Sequence, residues 1–257
     1  RITTRVVPRQ PLSCFLATAH EWGHSLYEQG LPDQSHQWFA WPLGQATSMA
    51  VHESQSLFWE NRVARSRPFA EQWWQRFAQA GAPFSGAQDM WQAMNPMAPG
   101  LNRVEADELS YGLHILIRTE LEIALLEQGL AVKDLPDEWN RRYQELLGVR
   151  PLSDAEGCLQ DVHWSEGLFG YFPSYLLGHL ISAQLSEAMA EAIGSPEEHV
   201  ERGDVSPLLA WLRAHVHPLG RSVNADQLVE RVSGRPLSTE AFLSYLENKL
   251  DRLQQAS

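Results

Sequence analysis

Apolar residues recur every three or four positions along most of this chain, which is the pattern of an α-helix with one buried face. The pattern is longest over residues 104–129, and it also covers residues 12–29, with Gly30 and Pro32 placed to end that helix. The same spacing predicts further helices at Leu43–Ser66, Pro68–Gly81, within Ala82–Gly100, and at 135–148, Tyr171–Ile193, 206–216 and 237–250.

Two segments depart from this pattern toward β-structure. Residues 1–7 form a polar, β-branched run that predicts a short strand, which Pro8–Pro11 would interrupt. Residues 148–163 predict a loop with room for a hairpin. The chain has no internal repeat and no low-complexity linker. The sequence therefore predicts a single, mostly α domain over residues 1–257.

Composition narrows the class of protein. The chain has 257 residues, of which 44% are hydrophobic and 20% charged, as is usual for a soluble globular protein. A net charge of −12 argues against nucleic acid and anionic membrane surfaces as partners. No apolar run approaches the length of a membrane span. Cys14 and Cys158 are too few for a disulfide framework, which favours buried apolar thiols and a cytoplasmic location.

The chemistry is concentrated in residues 18–30, TAHEWGHSLYEQG. His20 and His24 stand four positions apart, so both imidazoles face the same side of a helix and can bind one metal ion. Glu21 is placed to reach a water at that ion, and this order of residues predicts the site of a zinc-dependent peptidase. The alternative is a helix with two solvent histidines and a glutamate. The apolar flanks argue against it, because a buried helix face needs a partner for such groups.

A catalytic zinc site needs a third protein ligand, and the predicted second helix supplies a candidate. Glu53 lies 29 residues after His24, a separation that suits a helix, a loop and an antiparallel return. Two histidines and one glutamate are the ligand set of thermolysin-type peptidases. The adjacent His52 is predicted either to hold a ligand or substrate group in place or to be an ordinary helix histidine.

In such a site the metal activates a water and Glu21 serves as general base, passing the proton to the leaving amine. The developing oxyanion needs further hydrogen-bond donors. The segment CLQDVHWSEGLFGYFPSYLLG supplies candidates, although its composition equally fits an aromatic core junction. These candidates are Gln160, His163, Tyr171 and Tyr175.

These segments together resemble the carboxypeptidase Taq family of metallocarboxypeptidases, from Arg1 to near the C-terminus. The blocks that carry the resemblance are HEWGHSLYEQGLP, HESQSLFWEN, NRVEADELSYGLH, GCLQDVHWSEGLFGYFPSY and RITTR. The resemblance implies a catalytic role for Glu21 as general base. It also implies a metal-ligand set of His20, His24 and Glu53.

The resemblance further implies residues that contact the substrate. Arg103 matches the arginine that the family uses on the free C-terminal carboxylate, for which a guanidinium fork is suited. Without the family, a surface arginine at a helix start would be the better interpretation. His163 and Tyr171 match residues suited to oxyanion or substrate-backbone contacts, and Tyr175 is a weaker candidate for the same role.

Five more residues fall in these blocks. Arg1 and Thr3 match what remains of a block near the substrate, whereas Asp107 and Asp161 are interpreted as structural partners of the site residues. Gln160 is assigned with the substrate-binding residues.

The resemblance implies a zincin-type, neurolysin-like helical body with a deep groove and a small antiparallel β element near the metal. It implies Zn²⁺, or Co²⁺ in some members, as cofactor, and peptides with a free C-terminus as substrates. It also implies a homodimer. Family chains are about twice as long, so we expect this chain to be a C-terminal catalytic half that lacks an N-terminal half.

The first prediction is therefore a metal-dependent carboxypeptidase. A second is an oligopeptidase that does not require a free C-terminus. A third is a catalytically incomplete fragment that binds a partner chain and acts only with it, for which the missing half is the support.

Overall fold

The computed structural model describes residues 1–4, 6–7 and 10–255, and within them the chain is mostly helical, as predicted. The longest helices include α1, which carries the predicted metal motif. The α-helices are α1 (Pro11–Gly30), α2 (Met49–Leu57), α3 (Arg67–Gln79), α4 (Ala87–Met94), α5 (Glu108–Leu126), α6 (Leu135–Leu147), α7 (Pro173–Ile193), α8 (Pro196–Glu201), α9 (Ser206–His215), α10 (Ala225–Ser233) and α11 (Glu240–Gln255).

Capping residues explain where the helices of the site begin and end. Pro11 occupies the first turn of α1, where its missing N–H is not needed, and Leu31 closes the helix by donating to the Tyr27 carbonyl. The predicted start of the second helix at Leu43 is wrong. The helix begins at Met49, because the Ser48 side chain accepts a hydrogen bond from the Val51 N–H at 3.2 Å.

A seven-residue π-helical segment, Phe58–Ala64, continues α2 without a break. It is called the π segment below. Together α2 and the π segment cover most of the predicted helix Leu43–Ser66, whose first residues instead form a short 3₁₀ turn at Pro42–Gly44. π-Helical turns inside helices are frequent at functional sites.

The predicted small β element is wrong for the described part of the chain, in which no residue is in a strand. Residues 1–4 and 6–7 of the predicted strand are irregular, and Arg5, Pro8 and Arg9 lie outside the described residues. Turns occupy 148–163 in place of a hairpin. A strand requires a partner for its backbone donors and acceptors, and neither segment has one among the described residues.

The remaining helix predictions differ at their edges. The helix predicted at 104–129 is shorter, because Asp107 caps α5 by accepting from the Leu109 and Ser110 N–H groups. The sequence prediction missed α8 and α10, which are only six and nine residues long. Such short helices show too little of the three-to-four residue period to be recognised.

The chain groups into two compact units, one of Arg1–Met94 with Leu177–Ser257 and one of Asn95–Leu176. We call them unit 1 and unit 2. The largest buried cluster of unit 1 joins α1, α2, the π segment and α7, and that of unit 2 joins α5 to α6. Core side chains of unit 1 include Tyr27, Val51, Trp59, Ile181 and Leu212, and those of unit 2 include Ile117, Leu121, Trp139 and Tyr143.

Both cysteines are free, with Cys158 buried and Cys14 partly buried. Across the described residues, none of the helices combines the length and the apolar character that crossing a membrane requires.

Candidate metal centre

A glycine allows the two ligand-bearing helices to approach each other. Gly23 lies on α1 between the two motif histidines and faces the backbone of α2. A Cβ atom at this position would stand 2.6 Å from the Ser56 Cα atom and 2.7 Å from the Gln55 carbonyl oxygen. Real carbon atoms do not approach backbone this closely, so glycine is what lets α1 pack directly on α2.

The three predicted ligands converge between these helices. The Nε2 atoms of His20 and His24 lie 3.7 Å and 3.5 Å from Oε2 of Glu53. One donor atom from each of the three residues lies within 4.8 Å of the other two, and all three side chains are partly buried. Ligands at tetrahedral zinc are separated by roughly 3.3 Å, given bond lengths of about 2.0–2.1 Å. The donors therefore already have nearly the spacing that one cation requires.

Glu53 is held in a tight space by a third helix. Gly178 of α7 faces it, and a Cβ atom on Gly178 would stand 2.8 Å from Cγ and 2.9 Å from Cβ of Glu53. Burial raises the pKa of Glu53 above its ordinary value. A bound cation would offset this penalty by stabilising the charged carboxylate.

A carboxylate supports His20 from behind. Nδ1 of His20 lies 3.0 Å from Oε2 of Glu60, which belongs to the π segment. Arg65 in turn donates to Oε1 of Glu60 at 2.7 Å and also to the Met94 carbonyl oxygen. Burial favours protonation of Glu60, but the charges of Arg65 and His20 outweigh it and lower the Glu60 pKa to about 2. An anionic carboxylate on Nδ1 orients the ring and leaves Nε2 for a metal.

His24 has a different support. Its Nδ1 atom lies 3.1 Å from the His52 carbonyl oxygen and 2.6 Å from Nδ1 of the His52 ring. Nε2 of His52 lies 2.9 Å from Oε1 of Glu28, whose side chain is exposed. His52 thus contacts a candidate ligand and does not point away as an ordinary helix histidine.

The two motif histidines differ in their affinity for protons. Burial lowers the pKa of His20, but the hydrogen bond to Glu60 and the charges of Glu53 and Glu60 raise it above its ordinary value overall. Burial, with the neighbouring imidazoles of His20 and His52, lowers the pKa of His24 to about 4. His24 is therefore neutral near pH 7 and offers a lone pair, as a metal ligand must.

Glu21 lies on α1 next to His20, and it is partly buried. The negative charge of its carboxylate contributes to raising the pKa of both His20 and Glu53. Glu21 therefore lies beside two of the candidate ligands. The donor set as a whole fits a divalent cation, because one carboxylate and two supported imidazoles bring one donor atom each to within 4.8 Å of one another.

Most of the other predicted site residues gather within unit 2, around Asp161. Arg103 pairs with Oδ1 of Asp161 at 2.8 Å, and Arg118 donates to Oδ2 at 2.6 Å. Burial alone would raise the pKa of Asp161, but the two guanidinium groups lower it below its ordinary value. Gln160 accepts from the Arg103 backbone N–H at 2.9 Å and from Arg118 at 2.8 Å. Two guanidinium groups facing one carboxylate leave an excess of positive charge.

His163 and its two tyrosines lie in the same cluster. Nε2 of His163 is 3.2 Å from the Tyr175 hydroxyl, and the His163 ring packs against the ring of Tyr171 at 5.5 Å. The Arg103 guanidinium lies 4.9 Å from the centre of the Tyr175 ring. Burial, aided by Arg103, lowers the pKa of His163, so its ring is neutral near pH 7.

Three residues have other surroundings. Asp107 caps α5, as described above. Arg1 and Thr3 are exposed, and within the described part of the chain neither is brought together with another candidate residue.

Sequence reasoning missed several residues that hold these clusters together. Glu60 follows Glu53 by seven positions, which on a predicted helix places it on the same face two turns later. Arg118 is fully buried, and a cation within the apolar run ILIRTELEI was the available signal. Gly178 gave no signal, because its importance depends on which helix packs against it.

The chain is similar to known proteins over almost its whole length. A family model described as Carboxypeptidase Taq (M32) metallopeptidase matches residues 1–250. The chain belongs to this family. Members of the family are metallopeptidases, which implies a divalent metal.

Similar curated proteins include thermostable carboxypeptidase 1 of Thermus thermophilus, 45% identical over 97% of this chain and 49% of its own length. Carboxypeptidase 1 of Bacillus subtilis is 39% identical over 98% of this chain and 50% of its own. The chain spans about half the length of these curated relatives.

Solved structures give the same picture. The M32 carboxypeptidase from Deinococcus radiodurans R1 superposes with a TM-score of 0.92 at 40% identity, over 98% of this chain and 51% of that one. Metallocarboxypeptidase 1 of Trypanosoma cruzi gives a TM-score of 0.92 at 35% identity, over 97% and 52%. A Pyrococcus furiosus carboxypeptidase structure, described as Apo-Mg, gives a TM-score of 0.87 at 36% identity, over 93% and 48%.

Proposed function

We propose that this chain carries the catalytic centre of a metal-dependent carboxypeptidase, with His20, His24 and Glu53 as the metal ligands. The observation that carries this proposal is the convergence of three donor atoms, from α1 and α2, to within 4.8 Å of one another. Membership of a metallopeptidase family supports it. Two imidazoles and one carboxylate favour Zn²⁺, and Co²⁺ is the alternative that the family resemblance implies.

Glu21 is the proposed general base. A bound cation would polarise the peptide carbonyl and lower the pKa of an attacking water. Glu21 would take the proton from that water and deliver it to the nitrogen of the leaving residue. Its charge already acts on His20 and Glu53, which supports this position for a proton acceptor.

The substrate proposed is a peptide with a free C-terminal carboxylate, and Arg103 is the residue proposed to bind that carboxylate. The support is charge: Arg103 and Arg118 share Asp161, so Arg118 can still neutralise Asp161 when Arg103 turns to a ligand. His163, Tyr171 and Tyr175 are proposed donors to the oxyanion or the peptide backbone. Gln160 and Arg1 are proposed as further substrate contacts.

The test compares a peptide with its C-terminal amide. Wild-type protein should cleave the free acid and spare the amide. Arg103→Ala should lower kcat/KM for the acid by roughly 10- to 100-fold, because a charged hydrogen bond contributes about 1.5–3 kcal/mol. Arg103→Lys, which keeps the charge, should lose less, and Arg141→Ala on the exposed face of α6 should change nothing. Equal cleavage of acid and amide by the wild type would indicate an oligopeptidase instead.

Three finer features stay predictions, the first two from the family resemblance and the third from the low cysteine count. They are a neurolysin-like zincin body, a homodimer and a cytoplasmic location. Light scattering of the purified protein tests the second directly, since a monomeric mass at micromolar concentration would contradict a homodimer.

A further inference from the structure

His24 is connected through a second imidazole to a carboxylate at the surface. The contacts run from Nδ1 of His24 to Nδ1 of His52, at 2.6 Å, and from Nε2 of His52 to Oε1 of Glu28, at 2.9 Å. The two imidazole rings are tilted against each other with centres 4.6 Å apart, and the Tyr27 ring packs against His52 at 5.2 Å. The arrangement of the predicted ligand His20, which meets the Glu60 carboxylate directly, is different.

His24, His52 and Glu28 form a row of hydrogen-bonded groups. When a cation is bound, chemistry allows only one arrangement of protons along this row. Nε2 of His24 faces Glu53 and must offer its lone pair, so the proton of His24 resides on Nδ1 and is donated toward His52. Two N–H groups cannot face each other at 2.6 Å, so Nδ1 of His52 must accept. The proton of His52 then resides on Nε2 and is donated to Glu28.

We propose that His52 and Glu28 are positioning residues for the ligand His24, an inference that rests on the proposed metal centre. Glu28 fixes the tautomer of His52, and His52 then fixes the tautomer and ring orientation of His24. The hydrogen bond to an imidazole that is itself bonded to a carboxylate increases the basicity of Nε2 of His24. Glu28 contributes less than a buried carboxylate would, because its side chain is 59% exposed and screened by water.

The competing interpretation is that His52 only fills space between the rings of His24 and Tyr27. The two interpretations predict different effects on metal binding when His52 is replaced by a ring without nitrogen atoms. His52→Phe keeps an aromatic ring of similar shape but cannot accept the His24 proton, whereas the His52 carbonyl oxygen remains as a partner for His24.

The test measures zinc affinity by competition between zinc-loaded protein and a chromogenic chelator. Loss of such a support typically costs 10- to 100-fold in metal affinity. Because the carbonyl contact is retained, we expect His52→Phe to lose about tenfold. His52→Gln, which restores an acceptor, should recover part of this loss. Glu28→Gln should weaken zinc by a few-fold, and Glu71→Gln, the same charge change at another exposed glutamate, should have no effect.

A double variant decides whether the row acts as a unit. In the His52→Phe background, Glu28→Gln should have no further effect, because its route to His24 is already broken. Zinc affinity of folded His52→Phe within twofold of wild type, or additive effects of the two changes, would overturn the proposal. A wrong assignment of the metal centre itself would be recognised separately, because His24→Ala would then bind zinc as tightly as wild type.

Discussion

At the residue scale, Gly178 sets the space available to the Glu53 carboxylate. It lies on α7 in unit 1, and its hydrogen atoms face the Glu53 side chain where any other residue would place carbon. The Glu53 side chain is therefore confined on this side while its carboxylate meets His20 and His24. Preorganisation of this kind reduces the cost of assembling a site around a cation.

Gly178→Ala should therefore weaken metal binding more than it weakens folding. The added Cβ would stand 2.8 Å from Cγ of Glu53, so the Glu53 side chain must leave the position in which its carboxylate meets the two imidazoles. Overpacking typically lowers the free energy of unfolding by about 1–3 kcal/mol. Alanine within a helix raises it by up to about 1 kcal/mol relative to glycine, so part of the loss is offset. We expect zinc affinity to fall by at least tenfold, roughly 1.4 kcal/mol, measured by chelator competition.

Gly112→Ala is the matched control. Gly112 also lies inside a long helix, α5, but among the described residues its Cβ would meet Leu176 alone, at a contact distance of 3.4 Å. This variant should keep zinc affinity and should gain up to about 1 kcal/mol of unfolding free energy. Equal losses of zinc affinity in both variants would show that the effect comes from α-helical glycine in general and not from the space at Glu53.

The ligand residues could be proposed from sequence because their signal is local. His20, Glu21 and His24 are defined by helical spacing, and Glu53 by a carboxylate on the next helix. Glu60 offered only its seven-residue spacing from Glu53, because its contact with His20 depends on how the π segment turns. Gly178 could not be assigned a role, because its role depends on how α7 packs. The commitment of Arg103 to Asp161 likewise depends on contacts between residues 58 positions apart.

At the element scale, the 3₁₀ segment His217–Ser222 packs a buried histidine against α1 and α2. Nε2 of His217 lies 3.1 Å from Oε1 of Gln55, and the ring faces Gly30 and the Tyr27 ring. Nδ1 of His217 has no hydrogen-bond partner in the described part of the chain. Burial, and the charge of Arg213, lower the pKa of His217 to about 3.

This burial makes unit 1 sensitive to acid. In the unfolded chain His217 has a pKa near 6.5, so below that pH the unfolded state binds a proton that the folded state excludes. The unfolding free energy should therefore fall as the pH drops from 6.5 toward 3, by up to about 1.4 kcal/mol per pH unit from this residue.

Urea unfolding of wild type and His217→Gln, in the presence of a chelator, measures this slope. Glutamine can still donate to Gln55 but does not titrate, so the variant should lose stability less steeply between pH 6.5 and 4.5. His114 of unit 2 has a pKa that burial lowers to about 4, but it is present in both proteins and cancels in the comparison. Parallel slopes would contradict the assignment.

The existence of a helix could be predicted where the three-to-four-residue apolar pattern runs over many residues, as in α1, α5 and α7. The first residue of a helix is set by a capping side chain even where the apolar pattern begins earlier. Examples are Ser48 before α2 and Asp107 before α5. The predicted strand at residues 1–7 followed β-branched composition alone. Composition cannot supply the neighbouring strand that a sheet requires.

At the scale of the whole molecule, each unit contains one part of the proposed chemistry. Unit 1 contains the ligands and the base, and unit 2 contains the cluster of Arg103, Asp161 and His163. The family could be named from sequence because its motif blocks occur in both units. The chain covers only about half of each curated relative, so activity on a peptide is the property that needs direct measurement.

The most direct test measures zinc binding and peptide hydrolysis together in wild type, Glu21→Gln and Glu53→Gln. Wild type should bind zinc and cleave a free-acid peptide. Glu21→Gln should bind zinc with unchanged affinity but lose about 10²- to 10⁴-fold in kcat/KM, as removal of a general base does. Glu53→Gln should lose zinc affinity and activity together. Loss of zinc from Glu21→Gln, or hydrolysis that survives in Glu53→Gln without zinc, would contradict the assignment of this centre.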